Sequence, residues 1–503
     1  MAAGVTFFLA MLVGTLVLDA TVRPRGRDGW RWRGLLLHIL AMTVSFGFFL
    51  AISGSVPVAA VLTTALMALF TISSNAKHAM LGEPLLFSDL ALIAALFRHP
   101  RFYFTAIPPR QRRALMLGGL LLPVCFVLLF VPRIVPHAVG LGLLLAGVAG
   151  LLLLVVGGAL ACAAKIPDIE ADLVRYGLIA TLLIYWLRWR ETPDPPTCQG
   201  LTGPMGGADE PPCPEIILIV QCESFADPVE LTGDPAHILP GLARARAAAA
   251  QWGDLHVSGF GAYTMRTEYG VLFGRSEAQL GFRRYDPFLT AHGETSYALP
   301  ARLAICDYRC SFVHPHDMRF YGRDQLMPAI GFRNLVGAEC FPPTPAGGGR
   351  YVNDRALGAV LGDLADAADG PVLLYAVTME NHGPWDTDAL AGAKTGLDAY
   401  LGHLRSSDMM LNDLIDRLGA AGRSALLVFF GDHRPSIPGV TEPSGDRHTP
   451  YVMIRFDEDG RILPGDRQRA DLTPDVLHQA ILDCVSLGRT VASRDDILKP
   501  SVE

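Results

Sequence analysis

The chain has 503 residues, of which half are apolar and only 18% are charged, with a formal net charge of −7. That length accommodates two or three domains, and so little charge excludes a protein that is soluble throughout. No basic stripe interrupts the mild negative balance, which excludes nucleic acid as a partner. The apolar excess is concentrated in residues 1–190, whereas 215–503 has the composition of a globular domain. Nine cysteines are scattered along the chain without the doubled CxxC spacing of a zinc site. Cys306 with Cys310, or Cys198 with Cys213, are candidate pairs in an oxidising compartment, with buried free thiols as the alternative.

A bilayer core takes about 20 apolar residues in a helix. Residues 4–22, 35–52, 56–72, 114–131 and 138–164 meet or approach that length, which predicts five spans. Arg23, Arg25, Arg27, Arg31 and Arg33 follow the first, and Lys77, Arg98, Arg101, Arg110, Arg112 and Arg113 follow the third. The positive-inside rule assigns both loops to the cytoplasm, so five crossings leave the C-terminal half inside. A sixth apolar segment, 173–189, carries Tyr185, Trp186 and Trp189 at one end. If it crosses, the C-terminal half lies outside; otherwise it is a juxtamembrane helix. Residues 81–97, broken by Pro84 and Asp89, read as a surface or re-entrant helix.

Seven prolines and four glycines within 191–215 rule out a regular element and predict a tether at 191–214. Beyond it, β-rich runs alternate with helical patterns, which predicts a mostly parallel sheet. The runs at 216–220, 373–377 and 425–430 lead into Glu223, His382 and the Asp432-His433 pair. Ligands bind beyond the carboxyl ends of such strands, so four metal-competent or acid–base side chains are expected on one rim. In GFGAYTMRTEYGVLFG (259–274) glycines precede Thr264 and an apolar helical pattern follows it. A hydroxyl at a helix N-terminus sits where backbone N–H groups favour an anion, and a nearby divalent ion would activate it as a nucleophile. At 473–487 the pattern predicts a capped amphipathic helix in which His478 is structural.

The order ESF, Thr-x-x-x-Glu-Tyr, Asn-His-Gly-Pro-Trp and Gly-Asp-His resembles the lipoteichoic acid synthase and phosphoglycerol transferase family, within the alkaline phosphatase–sulfatase superfamily. The resemblance implies an N-terminal transmembrane bundle followed by an α/β sulfatase-like domain. It further implies one divalent metal held by Glu223, Thr264, Asp432 and His433, with Thr264 also the catalytic nucleophile; Thr267 is the rival. Family analogy favours manganese over magnesium or zinc. The substrate-binding residues it implies are Arg323, His382 and, more weakly, His314, with Tyr321 where many relatives carry tryptophan. His448 in RHTPY instead resembles a histidine of the phosphoethanolamine transferases. No Cys-x-Pro-x-Arg segment exists, which argues against sulfate-ester hydrolysis.

The expected activity is transfer of phosphoglycerol from a membrane phospholipid, through a phosphothreonine-type intermediate, to an envelope glycan or polymer. The expected setting is a multi-pass plasma (inner) membrane protein with an extracytoplasmic catalytic domain. Phosphoethanolamine transfer, simple hydrolysis, and a non-catalytic envelope protein that binds glycan or lipid are the competing readings.

Overall fold

The computed structural model describes residues 2–25, 31–89, 130–200, 213–342, 349–385, 392–443, 445–463 and 468–485, with Arg113, Leu117, Thr387 and Leu390 as isolated positions. The chain divides into two compact units, Met1–Pro193 and Asp194–Glu503.

In the first unit, four described helices are long and apolar enough to cross a membrane: α1 (Ala2–Ala20), α2 (Trp32–Ser53), α3 (Val56–Leu81) and α4 (Ile134–Val156). The α3 helix runs nine residues past the expected end at 72, because Ser74, Asn75 and Lys77 find partners. Ser74 accepts the Leu85 N–H, Asn75 accepts the Arg23 N–H, and Lys77 meets Asp89 at 2.5 Å. The span expected at 114–131 lies almost wholly outside the described residues, as do positions 90–97.

The segment 173–189 is two helices rather than one, α5 (Ile169–Tyr176) and α6 (Leu178–Glu191). They break at Gly177, which has φ +80°. At 1.5 Å per residue the 14 residues of α6 extend about 21 Å, short of the ~30 Å hydrocarbon core. The N-terminus of α6 is bonded into the unit: the Leu178 N–H donates to Asp19 Oδ1 at 2.8 Å. Asp19 in turn lies 3.0 Å from His38 Nδ1, and His38 Nε2 is 3.1 Å from Thr15 Oγ1. A buried carboxylate in an apolar bundle is costly unless paired, and these bonds tie α1, α2 and α6 together.

The second unit is built on an eight-stranded sheet of order β4-β3-β5-β1-β6-β7-β2-β8. The strands are β1 (Ile216–Cys222), β2 (Gln251–His256), β3 (Arg309–Val313), β4 (Asn334–Val336), β5 (Val372–Val377), β6 (Ala425–Gly431), β7 (His448–Phe456) and β8 (Gln468–Arg469). Only β7 runs against the others, antiparallel to both β6 and β2. The central strand β1 is buried along its whole length, as a strand covered on both faces should be. Ile216, Leu218 and Val220 join a core with Leu357 and Leu361 of one helix (Asp354–Asp366) and Leu404, Leu411 and Leu414 of another (Gly396–Ala420). The helix Thr264–Phe273 packs on Pro474–Val485, where buried His478 places Nδ1 2.9 Å from the Val271 carbonyl. Burial holds that imidazole neutral, with its pKa lowered to about 4.

Part of the tether adheres to this unit. The Cys198 N–H donates to Ser296 Oγ, and Tyr297 and Tyr308 donate to the carbonyls of Pro196 and Pro214. Neither candidate disulfide, Cys306–Cys310 or Cys198–Cys213, is formed.

Candidate metal and phosphoryl-transfer site

The parallel register sets the geometry. Gln221 of β1 lies beside Val377 of β5 and Phe430 of β6, so the three strands end level with one another. Glu223 therefore emerges between Thr378 and Asp432. The Glu223 N–H donates to Thr378 Oγ1 at 3.0 Å, and the Asp432 N–H donates to the Cys222 carbonyl at 3.2 Å. Gly431 is needed for this approach, because a Cβ there would run into the Phe225 carbonyl oxygen well inside van der Waals contact.

Glu223, Asp432 and His433 are each almost fully buried, and their ligand atoms all lie within 4.8 Å of one another. His433 Nε2 is 3.4 Å from Glu223 Oε1 and 3.5 Å from Asp432 Oδ2. The other ring nitrogen, Nδ1, lies 3.2 Å from the Arg434 carbonyl, which it can only approach as a donor. That tautomer turns the Nε2 lone pair toward the two carboxylates. Asp432 Oδ1 accepts the N–H groups of Ser224 and His433, both at 2.8 Å, whereas the buried Oδ2 has no hydrogen-bond partner.

Thr264 is the first residue of its helix, following Tyr263 at φ +78°. Its hydroxyl is 3.4 Å from Glu223 Oε2. The rival Thr267 is otherwise engaged, donating to the Asp432 carbonyl at 2.7 Å. Burial, and then the Asp432 carboxylate beside it, push the Glu223 pKa well above the carboxylate range. Two carboxylates, an imidazole lone pair and a hydroxyl converging in a buried site fit a divalent cation. The orphaned Asp432 Oδ2 is the particular observation that a cation would satisfy.

Beside this cluster, β3 ends at His314, whose Nδ1 donates to the Val377 carbonyl at 2.9 Å. Its Nε2 faces Arg323 Nη1 at 3.2 Å. Burial first, and then the neighbouring guanidinium, hold His314 neutral well below the usual histidine range. Arg323 is buried and forms a fork with Glu268, from Nε at 3.1 Å and Nη2 at 2.5 Å. The Thr264–Phe273 helix thus carries both the threonine and the carboxylate that orients the arginine. Tyr321 lies against that guanidinium, with Arg323 Cζ 5.2 Å from its ring. His382, half-buried, packs its ring 5.7 Å from that of Tyr351 and falls within the electrostatic reach of Asp432.

His448 does not join this group. It sits at the head of β7 between Glu230 (2.8 Å) and Asp446 (2.6 Å), with Arg434 Nη2 at 2.7 Å.

Reading the motifs alone missed Ser224. Held at φ +50°, it donates its N–H to Asp432 Oδ1 and its hydroxyl to Glu223 Oε1 at 2.9 Å. It missed as well the buried acids behind the rim, where Asp354 accepts from Ser407 at 2.6 Å and its N–H meets Glu380 at 2.6 Å. A small polar residue directly after Glu223 was the available signal for Ser224; the Asp354–Glu380 contact spans residues far apart in the motif pattern and left none.

Residues 215–482, just over half of the chain, match the sulfatase family model. The chain belongs to the sulfatase family. Among solved structures, the integral membrane lipooligosaccharide phosphoethanolamine transferase A from Neisseria meningitidis shares the fold over 95% of both chains, with a TM-score of 0.56 and 13% identity. A capsular polysaccharide biosynthesis protein, RkpI, of Rhizobium meliloti (strain 1021) is 29% identical over 448 residues, covering 83% of this chain and 81% of that protein. A putative cyclic β-1,2-glucan modification protein of the same organism is 26% identical over 246 residues, 46% of this chain and 37% of that protein. The chain therefore combines apolar helices long enough to cross a membrane with a sulfatase-type sheet domain.

Proposed function

We propose that this protein is a metal-dependent phosphotransferase that moves phosphoglycerol from a membrane phospholipid to an envelope glycan. The observation that carries the reading is the orphaned Asp432 Oδ2 among Glu223, His433 and the Thr264 hydroxyl. Glu223, Asp432, His433 and Thr264 would hold one divalent ion, manganese by family analogy. When bound, the ion supplies positive charge beside the phosphoryl oxygens and lowers the threonine pKa.

Thr264 Oγ forms the new bond to phosphorus as the bond to the diacylglycerol oxygen breaks, and the threonine proton ends on that oxygen. An acceptor hydroxyl then attacks the phosphothreonine, and its proton returns to Thr264. Arg323, preset by Glu268 and His314, and His382 bind the non-bridging oxygens, the positioning and charge stabilisation on which phosphoryl transfer depends. The glycan acceptor is supported by the names of the two Rhizobium relatives. The catalytic unit is placed on the extracytoplasmic side, where envelope glycans are modified. Labelling of exposed Cys340 by a membrane-impermeant maleimide in intact spheroplasts tests this placement; a thiol reached only after lysis overturns it.

Phosphoethanolamine transfer is the second reading, supported by the name of the full-length structural relative and by the likeness of His448 to a histidine of those transferases. Purified protein incubated with phosphatidylglycerol or phosphatidylethanolamine decides between them. Released diacylglycerol and an adduct on the Thr264 peptide, both followed by mass spectrometry, identify the donor. Full diacylglycerol release by Thr264→Ala would refute the nucleophile assignment.

A further inference from the structure

Beside the helix that presents Thr264, the second unit holds another cavity, of about 390 Å³. That volume lies within the roughly 300–1,000 Å³ of small-ligand pockets. Its walls include His256 at the end of β2, Arg266 and Thr267 of the Thr264 helix, and Arg284 and Arg447. Since β2 and β6 run the same way, this cavity stands at the same end of the sheet as Asp432.

Its chemistry is the reverse of that at the metal-competent cluster. Arg266 is buried, with Cζ 3.9 Å from the Tyr263 ring and Nε donating to the Tyr285 carbonyl at 3.3 Å. Arg447 Nη1 donates to the Ser258 carbonyl at 2.6 Å. Arg284 lies 3.6 Å from Glu277, with a third of its side chain exposed. Arg275, the fourth guanidinium in the lining, is already engaged by Glu294. Four guanidiniums and two carboxylates, Glu277 and Asp475, thus line the cavity. An arginine fork matches the oxygens of a carboxylate or phosphate, and partial enclosure strengthens that attraction over its value in water.

We infer that this cavity is a subsite for an oxyanion, carboxylate or phosphate, borne by the acceptor glycan. Its identity as a glycan subsite rests on the transfer reading above; its preference for an anion does not. Thr267 joins the two places, lining this cavity while donating to the Asp432 carbonyl. An acceptor anchored here lies along the flank of the helix whose first residue is Thr264.

Isothermal calorimetry on the full-length, metal-free protein in detergent tests the subsite without requiring turnover. The probes are an oligogalacturonate, a neutral oligosaccharide of equal length, and inorganic phosphate. The acidic oligosaccharide is expected to bind at least tenfold tighter than the neutral one, and less tightly as salt rises. Arg447→Gln and Arg284→Gln are each expected to weaken it about fivefold or more, Arg447→Lys less, and Glu277→Gln to strengthen it. Unchanged melting temperatures separate loss of binding from loss of fold, and the gain in Glu277→Gln cannot come from misfolding. Equal binding of charged and neutral probes, or no effect in both glutamine variants, overturns the inference. Phosphate binding as tightly as the oligosaccharide, and lost in the same variants, overturns its glycan part. Selective binding in a preparation that cleaves no phospholipid supports the subsite and removes the transfer reading instead.

Discussion

Two groups of the same residue types stand at the same end of the sheet and differ in what surrounds them. Glu223, Asp432 and His433 are buried and left with an unpartnered carboxylate oxygen. Glu230, Asp254 and His448 also lie within 4.8 Å of one another, but Glu230 is substantially exposed and Arg434 reaches both it and His448. Asp254 is paired with Arg469 at 2.9 Å. The second group already contains its cations, whereas the first leaves a buried carboxylate oxygen without a hydrogen bond. Residue type and spacing nominate a metal site; the local charge balance and burial decide whether one is needed.

The sharpest way to break this contrast is to neutralise one acid in each group. Asp432→Asn is expected to abolish phospholipid cleavage, by about 10³-fold or more, and to remove the thermal stabilisation that added manganese gives the wild type. That stabilisation should reach roughly 2.7 kcal/mol at a hundredfold excess over Kd. Glu230→Gln is expected to leave both within about twofold. If the two variants behave alike, the distinction between the groups fails.

Next in size is Ser224→Ala, which keeps the backbone bond to Asp432 but loses the hydroxyl that fixes Glu223. Outer residues of this kind typically contribute about 10–100-fold to metal affinity, and calorimetric titration with manganese should show a loss in that range. Affinity equal to wild type would make Ser224 a bystander.

His448→Ala is expected to cost less than about 1 kcal/mol in chemical denaturation, and less still at high salt, because its carboxylate partners are exposed. A large loss of phosphoethanolamine transfer in that variant would instead favour the second reading.

A further expected effect concerns pH. Burial, and then the Glu380 carboxylate, raise the Asp354 pKa above the usual range. The folded protein therefore binds this proton more tightly than the unfolded chain does. Its contribution favours folding at acid pH and declines as pH rises from the ordinary carboxylate range toward neutrality. Melting temperatures of Asp354→Asn should show a shallower decline across that window than wild type; an equal slope would rule the residue out as its source.

How much of this was legible beforehand follows from the distance over which each feature is encoded. Strand-end motifs pointed to Glu223, His382, Asp432 and His433 on one rim because a parallel sheet aligns its strand ends regardless of what lies between them, and Thr264 was legible separately as a hydroxyl at a helix N-terminus. The role of Glu268 as the anchor of Arg323 was hidden, since a fork between residues 55 positions apart leaves no local pattern. His448 was singled out by the resemblance of RHTPY to the phosphoethanolamine transferases, and its contacts with Glu230 and Arg434 left no local pattern. In the first unit, hydropathy found the helices but misjudged α3, whose polar last turns are satisfied by tertiary partners rather than by composition. The segment 173–189 was apolar enough to read as one helix, and a single glycine in a left-handed conformation divides it.

The glycine before Asp432 also fixes a spacing. With no side chain at 431, the Phe225 carbonyl in the loop leaving β1 rests directly on the end of β6, and this close approach of backbone to backbone helps set the gap between the Glu223 and Asp432 carboxylates. A single methyl group at that position, Gly431→Ala, would act as a shim. It would prise the jaws of the clamp apart while leaving every donor atom in the chain, so an intact inventory of ligands does not by itself preserve the grip on an ion.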